Sequence, residues 1–163
     1  MKLKELTIGA MLTALAIIIP IQFSFLRIVI PPFSATLAAH VPMLLSMLIS
    51  PPVALMVGVG STIGFLLSSP VYVAARAASH IVAGYVGAVM IKHGKPAIVA
   101  YALTLPIHAV LEVLAVIPFG WTAYKVLVVV GAGTVIHHIV DSAIALSLAY
   151  ALQPFLKPGF ARR

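Results

Sequence analysis

The chain is a succession of long apolar stretches separated by short clusters of proline, glycine, serine and charge. Runs such as Leu12 to Pro20, Val53 to Leu67 and Val126 to Ile136 are apolar or small on every side. That is the pattern of a helix among apolar neighbours, whereas a barrel strand would alternate apolar and polar residues. Segments at 4–22, 35–49, 52–69, 71–91, 97–118 and 124–153 lie between the breaks, and most approach the roughly 20 residues that a helix needs to cross the hydrocarbon core. The second is short, and Ser50-Pro51-Pro52 barely separates it from the third, which predicts a tight helical hairpin or a partly re-entrant element. The expected fold is an all-α integral membrane protein of about six transmembrane helices in one compact bundle, a single polytopic domain over residues 1–163.

Composition supports that reading. With 63% hydrophobic and 8% charged residues, the chain has too little polar surface to solvate a water-soluble globule. Inside a bilayer every backbone polar group must be paired within the segment, which helices achieve. The formal charge of +7 would suggest a nucleic-acid partner in a soluble domain, but the basic residues lie at segment ends, where they act as topology signals. With a cytoplasmic N-terminus, Lys2, Lys4, Lys92, Lys95, Lys157, Arg162 and Arg163 fall inside, and only Arg27, Arg76 and Lys125 lie toward the outside. This predicts an N-in/C-in, multi-pass protein of the cytoplasmic membrane and no nucleic-acid binding. The opening Met1-Lys2-Leu3-Lys4 has the start of a signal peptide but no small-residue cleavage pattern after it, so it reads as a retained first span. Cysteine is absent, so there is no disulfide framework or thiolate metal site.

The informative residues are polar groups at membrane depth, where an ionisable side chain costs at least about 2.5–3.5 kcal/mol unless it finds a partner. Tyr72, Arg76 and His80 are spaced by four and share one helical face. His108 and Glu112 repeat the spacing in the fifth segment. The sixth carries Lys125 near its outer end and His137, His138 and Asp141 nearer its middle. His40 opens the second segment and Arg27 precedes it. These groups predict a cavity open to the outside whose cationic excess, Arg27, Arg76 and Lys125 with titratable His40 and His80 against Glu112, favours a small carboxylate. The candidate substrate-binding set is Arg27, His40, Tyr72, Arg76, His80, His108, Glu112, Lys125 and His138. The structural alternatives are an Arg76–Glu112 pair tying two helices, Arg27 and Lys125 reaching to the interface, and Trp121 and Tyr124 as belt aromatics. His137 and His138 point about 100° apart on a helix, so one is expected to face the site and the other to pack.

No cofactor is implied. His108 with Glu112 and His137 with Asp141 have a spacing that metal ligands on a helix use, but no stronger ligand motif accompanies them, so no metal site is expected. Gly58-Val59-Gly60-Ser61 lacks the second glycine of a nucleophile elbow, and no Gly-rich phosphate loop with a following lysine is present. An ATP-hydrolysing or other enzymatic role therefore has no motif, and active transport would draw on an ion gradient or a partner.

Small residues recur at close-packing spacing: Gly9 with Thr13, Ala10 with Ala14, Gly60 with Gly64, and Gly84 with Ala88. In size, span pattern and the first-span stretch Gly9-Ala10-Met11-Leu12-Thr13-Ala14, the chain resembles the substrate-binding S components of energy-coupling factor (ECF) vitamin transporters. The resemblance implies that Ala10 and Ala14, matching that family's alanine-x-x-x-alanine motif, dock on a transmembrane coupling subunit driven by two cytoplasmic ATPases. It also implies that a vitamin binds on the outer side, among the later helices and the loop after the first span. Ala35-Thr36-Leu37-Ala38-Ala39-His40-Val41-Pro42, followed by Ile49-Ser50-Pro51-Pro52, looks most like the niacin-specific members. Cobalt and nickel S components have histidine at the second position, whereas this chain has Lys2. Two other readings stay open: an autonomous proton-coupled carrier with a relay through His108, Glu112, His138 and Asp141, and a membrane-embedded enzyme.

Overall fold

Proline marks the start of most of the long helices: Pro51 and Pro52 occupy a first turn, where a fixed φ fits and a missing N–H would be unpaired anyway, and Pro70 and Pro96 stand just before two others. The computed structural model describes residues 2–152. Helix α1 is Leu3–Gln22, with Glu5 reaching back to the Lys2 amide. Helix α2 is Val41–Met47, with Pro42 in its first turn. Helix α3, Pro51–Ser68, opens on two prolines. Helix α4, Val71–Ala77, follows Pro70 and runs through Ala78 into α5, Ser79–Lys92. Gly94, at φ +88, turns the chain after α5, a conformation without penalty for glycine alone. Helix α6, Ala97–Val116, follows Pro96. A π-helical stretch, Lys125–Val130, leads into α7, Gly131–Leu152.

Five stretches are long and apolar enough to cross a membrane: Leu3–Gln22, Pro51–Ser68, Val71–Lys92, Ala97–Phe119 and Lys125–Leu152. They match five of the six expected segments closely. The segment 35–49 is the short element that Ser50-Pro51-Pro52 announced: its helix, α2, has 7 residues and is too short to cross. Of the basic residues counted for topology, Lys157, Arg162 and Arg163 lie outside the described residues.

The loop after α1 forms an antiparallel hairpin of β1, Arg27–Ile30, and β2, Phe33–Thr36. Its register pairs Arg27 with Thr36 and Ile30 with Phe33 around Pro31-Pro32. The all-α expectation held no strands. The β-branched run Ile28-Val29-Ile30 beside two helix-breaking prolines favours the pairing locally.

Small residues bring the helices together. A Cβ added to Gly64 would lie 2.8 Å from the Ile17 Cα, one on Gly60 2.6 Å from the Thr13 side chain, and one on Gly58 2.6 Å from the Ile81 Cα. Backbone-to-backbone approach of this kind joins α1 to α3 and α3 to α5. The main apolar core, with Met43, Leu44, Met47, Val53, Val57 and Tyr101, surrounds α2. Polar side chains collect between this core and the hairpin.

Candidate functional site

Arg76, on the last turn of α4, and Glu112, near the end of α6, are each 3% exposed. The Arg76 Nε and Nη2 donate to Glu112 Oε2 at 3.1 and 2.6 Å. Nη1 donates to the carbonyls of Pro32 and Ser34 at 3.2 and 3.4 Å, and the guanidinium lies 5.0 Å from the centre of the Phe33 ring. The Thr134 hydroxyl of α7 donates to the same Glu112 oxygen. A buried ion pair is tolerated when its remaining donors and acceptors are satisfied, and here the hairpin and α7 supply partners. The structural alternative for Arg76 and Glu112 is thus realised, with one carboxylate oxygen, Oε1, turned toward His108 Nε2 at 3.4 Å.

Five imidazoles gather beside this pair. The ring of His40 lies 4.8 Å from His80, 4.7 Å from His108 and 4.1 Å from His137, centre to centre, and His138 is 5.3 Å from His108. His80 Nδ1 is 2.7 Å from Ser61 Oγ. His138 Nε2 lies 3.1 Å from the Tyr101 carbonyl, and its Nδ1 lies 3.1 Å from His108 Nδ1. His137 and His138 both join the cluster. One was expected to pack elsewhere, but the cluster wraps around α7, so side chains about 100° apart reach it from two sides.

Asp141, fully buried, fixes the loop that carries His40. Its two oxygens accept the backbone N–H groups of Ala38 and His40, each at 2.9 Å, and His137 Nε2 lies 3.1 Å from Oδ2. Ala38 has φ 66, a left-handed conformation that costs a non-glycine residue roughly 1 kcal/mol or more and persists where neighbours hold it. The carboxylate of α7 is that support.

The remaining expected residues lie apart from the histidines. Arg27 donates to Thr36 Oγ1 at 3.0 Å, Ser69 Oγ at 2.9 Å, the Ser68 carbonyl at 3.2 Å and the Pro20 carbonyl. It therefore fastens the hairpin to the ends of α1 and α3. Tyr72 packs on Trp121 at 5.7 Å and Phe119 at 6.1 Å, and the Lys125 ammonium lies 4.9 Å from the Trp121 ring centre, a cation–π arrangement. Ala10 and Ala14 are exposed on α1, so neither packs against the rest of the described chain. Ser61, Thr134, His137 and Asp141 take part in the centre without having been in the expected substrate set. The spacing of His137 and Asp141 signalled only a metal ligand pair, and helix hydroxyls usually bond their own backbone.

A cavity of about 450 Å³ adjoins the centre between the hairpin and α7. Its wall is apolar, with Ile28, Ile30, Phe33, Val129 and Ile136, and His137 adds a polar group. It falls within the size range of small-molecule pockets.

Apolar spanning-length helices around a buried polar centre define the class: a multi-pass protein of the cell membrane. Comparison with known proteins agrees. The chain is 36% identical over 93% of its length to the niacin transporter NiaX of Lactococcus lactis subsp. cremoris (strain MG1363), covering 75% of that protein. No protein-family model and no solved structure matches. The chain belongs to this niacin-transporter family of S components, a kinship with transport proteins and not with enzymes.

Proposed function

We propose that this chain binds niacin at the hairpin end of the bundle and serves as the substrate-binding subunit for its uptake. The observation that carries the reading is the 36% identity to a niacin transporter over nearly the whole chain. The site is compatible in chemistry: the apolar cavity suits a pyridine ring, His137 lines it, and the carboxylate would turn from there toward the neighbouring centre of His40, Arg76, His80, His108 and His138, with Glu112 setting the orientation of Arg76. Tyr72 and Lys125 gather around Trp121, and Arg27 fastens the hairpin to the ends of α1 and α3. The basic Lys2, Lys4, Lys92 and Lys95 gather at the opposite end, which supports an N-in/C-in orientation with the hairpin outside. Ala10 and Ala14 are the docking face for an ECF transmembrane coupling subunit that works with two cytoplasmic ATPases. Their exposure favours that role over internal packing.

The test is calorimetry of the purified chain with nicotinate and nicotinamide. Nicotinate should bind and the uncharged amide should bind more weakly, while absence of nicotinate binding would overturn the reading. A second reading has one observation in its favour: His138 and His108 are hydrogen-bonded at 3.1 Å and Glu112 Oε1 lies 3.4 Å from His108 Nε2, a row of titratable groups of the kind a proton relay uses. Vesicles holding this chain alone separate the two. Uptake that follows a proton gradient would establish the autonomous carrier, and uptake only with added ATPase and coupling subunits would establish the ECF mode.

A further inference from the structure

We infer that His40, His80, His108 and Glu112 form a binding site for a divalent transition-metal ion. Each offers a ligand atom, and these atoms all lie within 4.8 Å of one another with all four residues buried. The set comes from separate elements: the residue before α2, then α5, and two positions on α6. Three imidazoles and one carboxylate are the nitrogen and oxygen donors that zinc, cobalt or nickel takes. A tetrahedral site with bonds of about 2.0–2.1 Å places its ligand atoms about 3.3 Å apart. His108 Nε2 and Glu112 Oε1 are already 3.4 Å apart, and the other members, within 4.8 Å, would close by up to about 1.5 Å on binding the ion.

The hydrogen-bond pattern orients the donors. The Tyr101 carbonyl only accepts, so His138 Nε2 carries a proton and donates to it. In neutral His138, Nδ1 is then an acceptor, and its neighbour at 3.1 Å, His108 Nδ1, must donate. With His108 also neutral, as a metal ligand must be, its lone pair is on Nε2, on the side of Glu112. Ser61 likewise engages Nδ1 of His80 and leaves Nε2 free. Metal-bound histidines are held by this second bond on the opposite ring nitrogen. Among the described residues, His80 Nε2 and His108 Nε2 are buried without a hydrogen-bond partner, an arrangement that buried polar groups rarely show without an occupant.

Charge points the same way. With neutral imidazoles the buried centre holds two carboxylates, Glu112 and Asp141, against one guanidinium, Arg76. A dication turns that excess of one negative charge into one positive charge, which a monocarboxylate neutralises. This last consequence rests on the vitamin reading, whereas the ligand set itself does not.

The test uses the full chain in detergent after dialysis against chelator, titrated with Co²⁺ and then Zn²⁺. One Co²⁺ per chain should bind with the visible d–d absorption of a four-coordinate site, and equimolar Zn²⁺ should displace it. His80→Ala and His108→Gln should each weaken binding at least tenfold, and exposed His93→Ala should leave it unchanged. No Co²⁺ or Zn²⁺ uptake by the wild-type chain would overturn the site whatever the variants do, as would uptake that persists in both His80→Ala and His108→Gln. Nicotinate calorimetry on the same samples keeps the two readings apart. Nicotinate binding without metal uptake overturns only the metal site, and metal uptake without nicotinate binding overturns only the vitamin assignment.

Discussion

The seam between α1 and α3 and the polar centre under the hairpin hold the molecule together by opposite means. The seam uses two helices and residues with almost no side chain: Gly60 against Thr13 and Gly64 against Ile17. The centre draws on the loop before α2, on α3, α4, α5, α6 and α7, and on groups that are costly to bury singly. A fault in the seam is steric and local, whereas a fault in the centre leaves a charge or a donor without its partner in an apolar medium. The two regions should therefore answer mutation differently.

The largest effect is expected from Arg76→Ala, which strands Glu112 and frees the Pro32 and Ser34 carbonyls. Removing one member of a buried pair costs about 3–5 kcal/mol, so thermal unfolding in detergent should fall well below wild type, and nicotinate affinity should fall with it. Replacing Arg76 and Glu112 together by Met and Leu should cost less than Arg76→Ala alone, and a larger loss in the double variant would show that the pair is more than self-compensating. Next comes Gly64→Val, which forces α1 off α3 at a cost of about 1–3 kcal/mol. Its midpoint of unfolding should drop while the folded fraction keeps wild-type affinity for nicotinate, and a matching loss of affinity would erase the distinction between the regions.

Asp141→Asn should cost about 1–3 kcal/mol, because a single amide oxygen replaces two carboxylate acceptors under Ala38 and His40. Faster hydrogen exchange at those two amides is the readout. The smallest change in stability, within about 0.5 kcal/mol, is expected for Ala10→Leu with Ala14→Leu on the exposed face of α1. Nicotinate binding should persist and ECF-dependent uptake should be lost, and intact uptake in that double variant would remove α1 as the docking face.

What was legible in the sequence follows the same division. The five long helices could be bounded because Pro51, Pro70 and Pro96 mark starts and Gly94 marks a turn, and these are local signals. Gly60 and Gly64, four apart, announced close packing in the same way. The Tyr72, Arg76, His80 stripe was legible too, but Tyr72 turns to Trp121 while the other two turn inward, and no spacing rule foretells that. The hairpin was hidden because Ile28-Val29-Ile30 is as apolar as a helix end. The meeting of His40 with His137 joins residues far apart in sequence, so only the tertiary fold brings them together. Asp141 looked like one half of a helical pair, and its bonds to the Ala38 and His40 amides depend on a left-handed residue that the sequence does not mark.

The Asp141 bonds have a consequence for how the hairpin loop responds to its surroundings. The loop is tied from beneath, by a carboxylate far from solvent, and not by charges on its outer surface. Ionic strength, which screens exposed charges over about 10 Å at 0.1 M, has little purchase on such a tie. Salt should thus leave the loop in place, and its release depends on what Asp141 is offered in exchange from within the bundle.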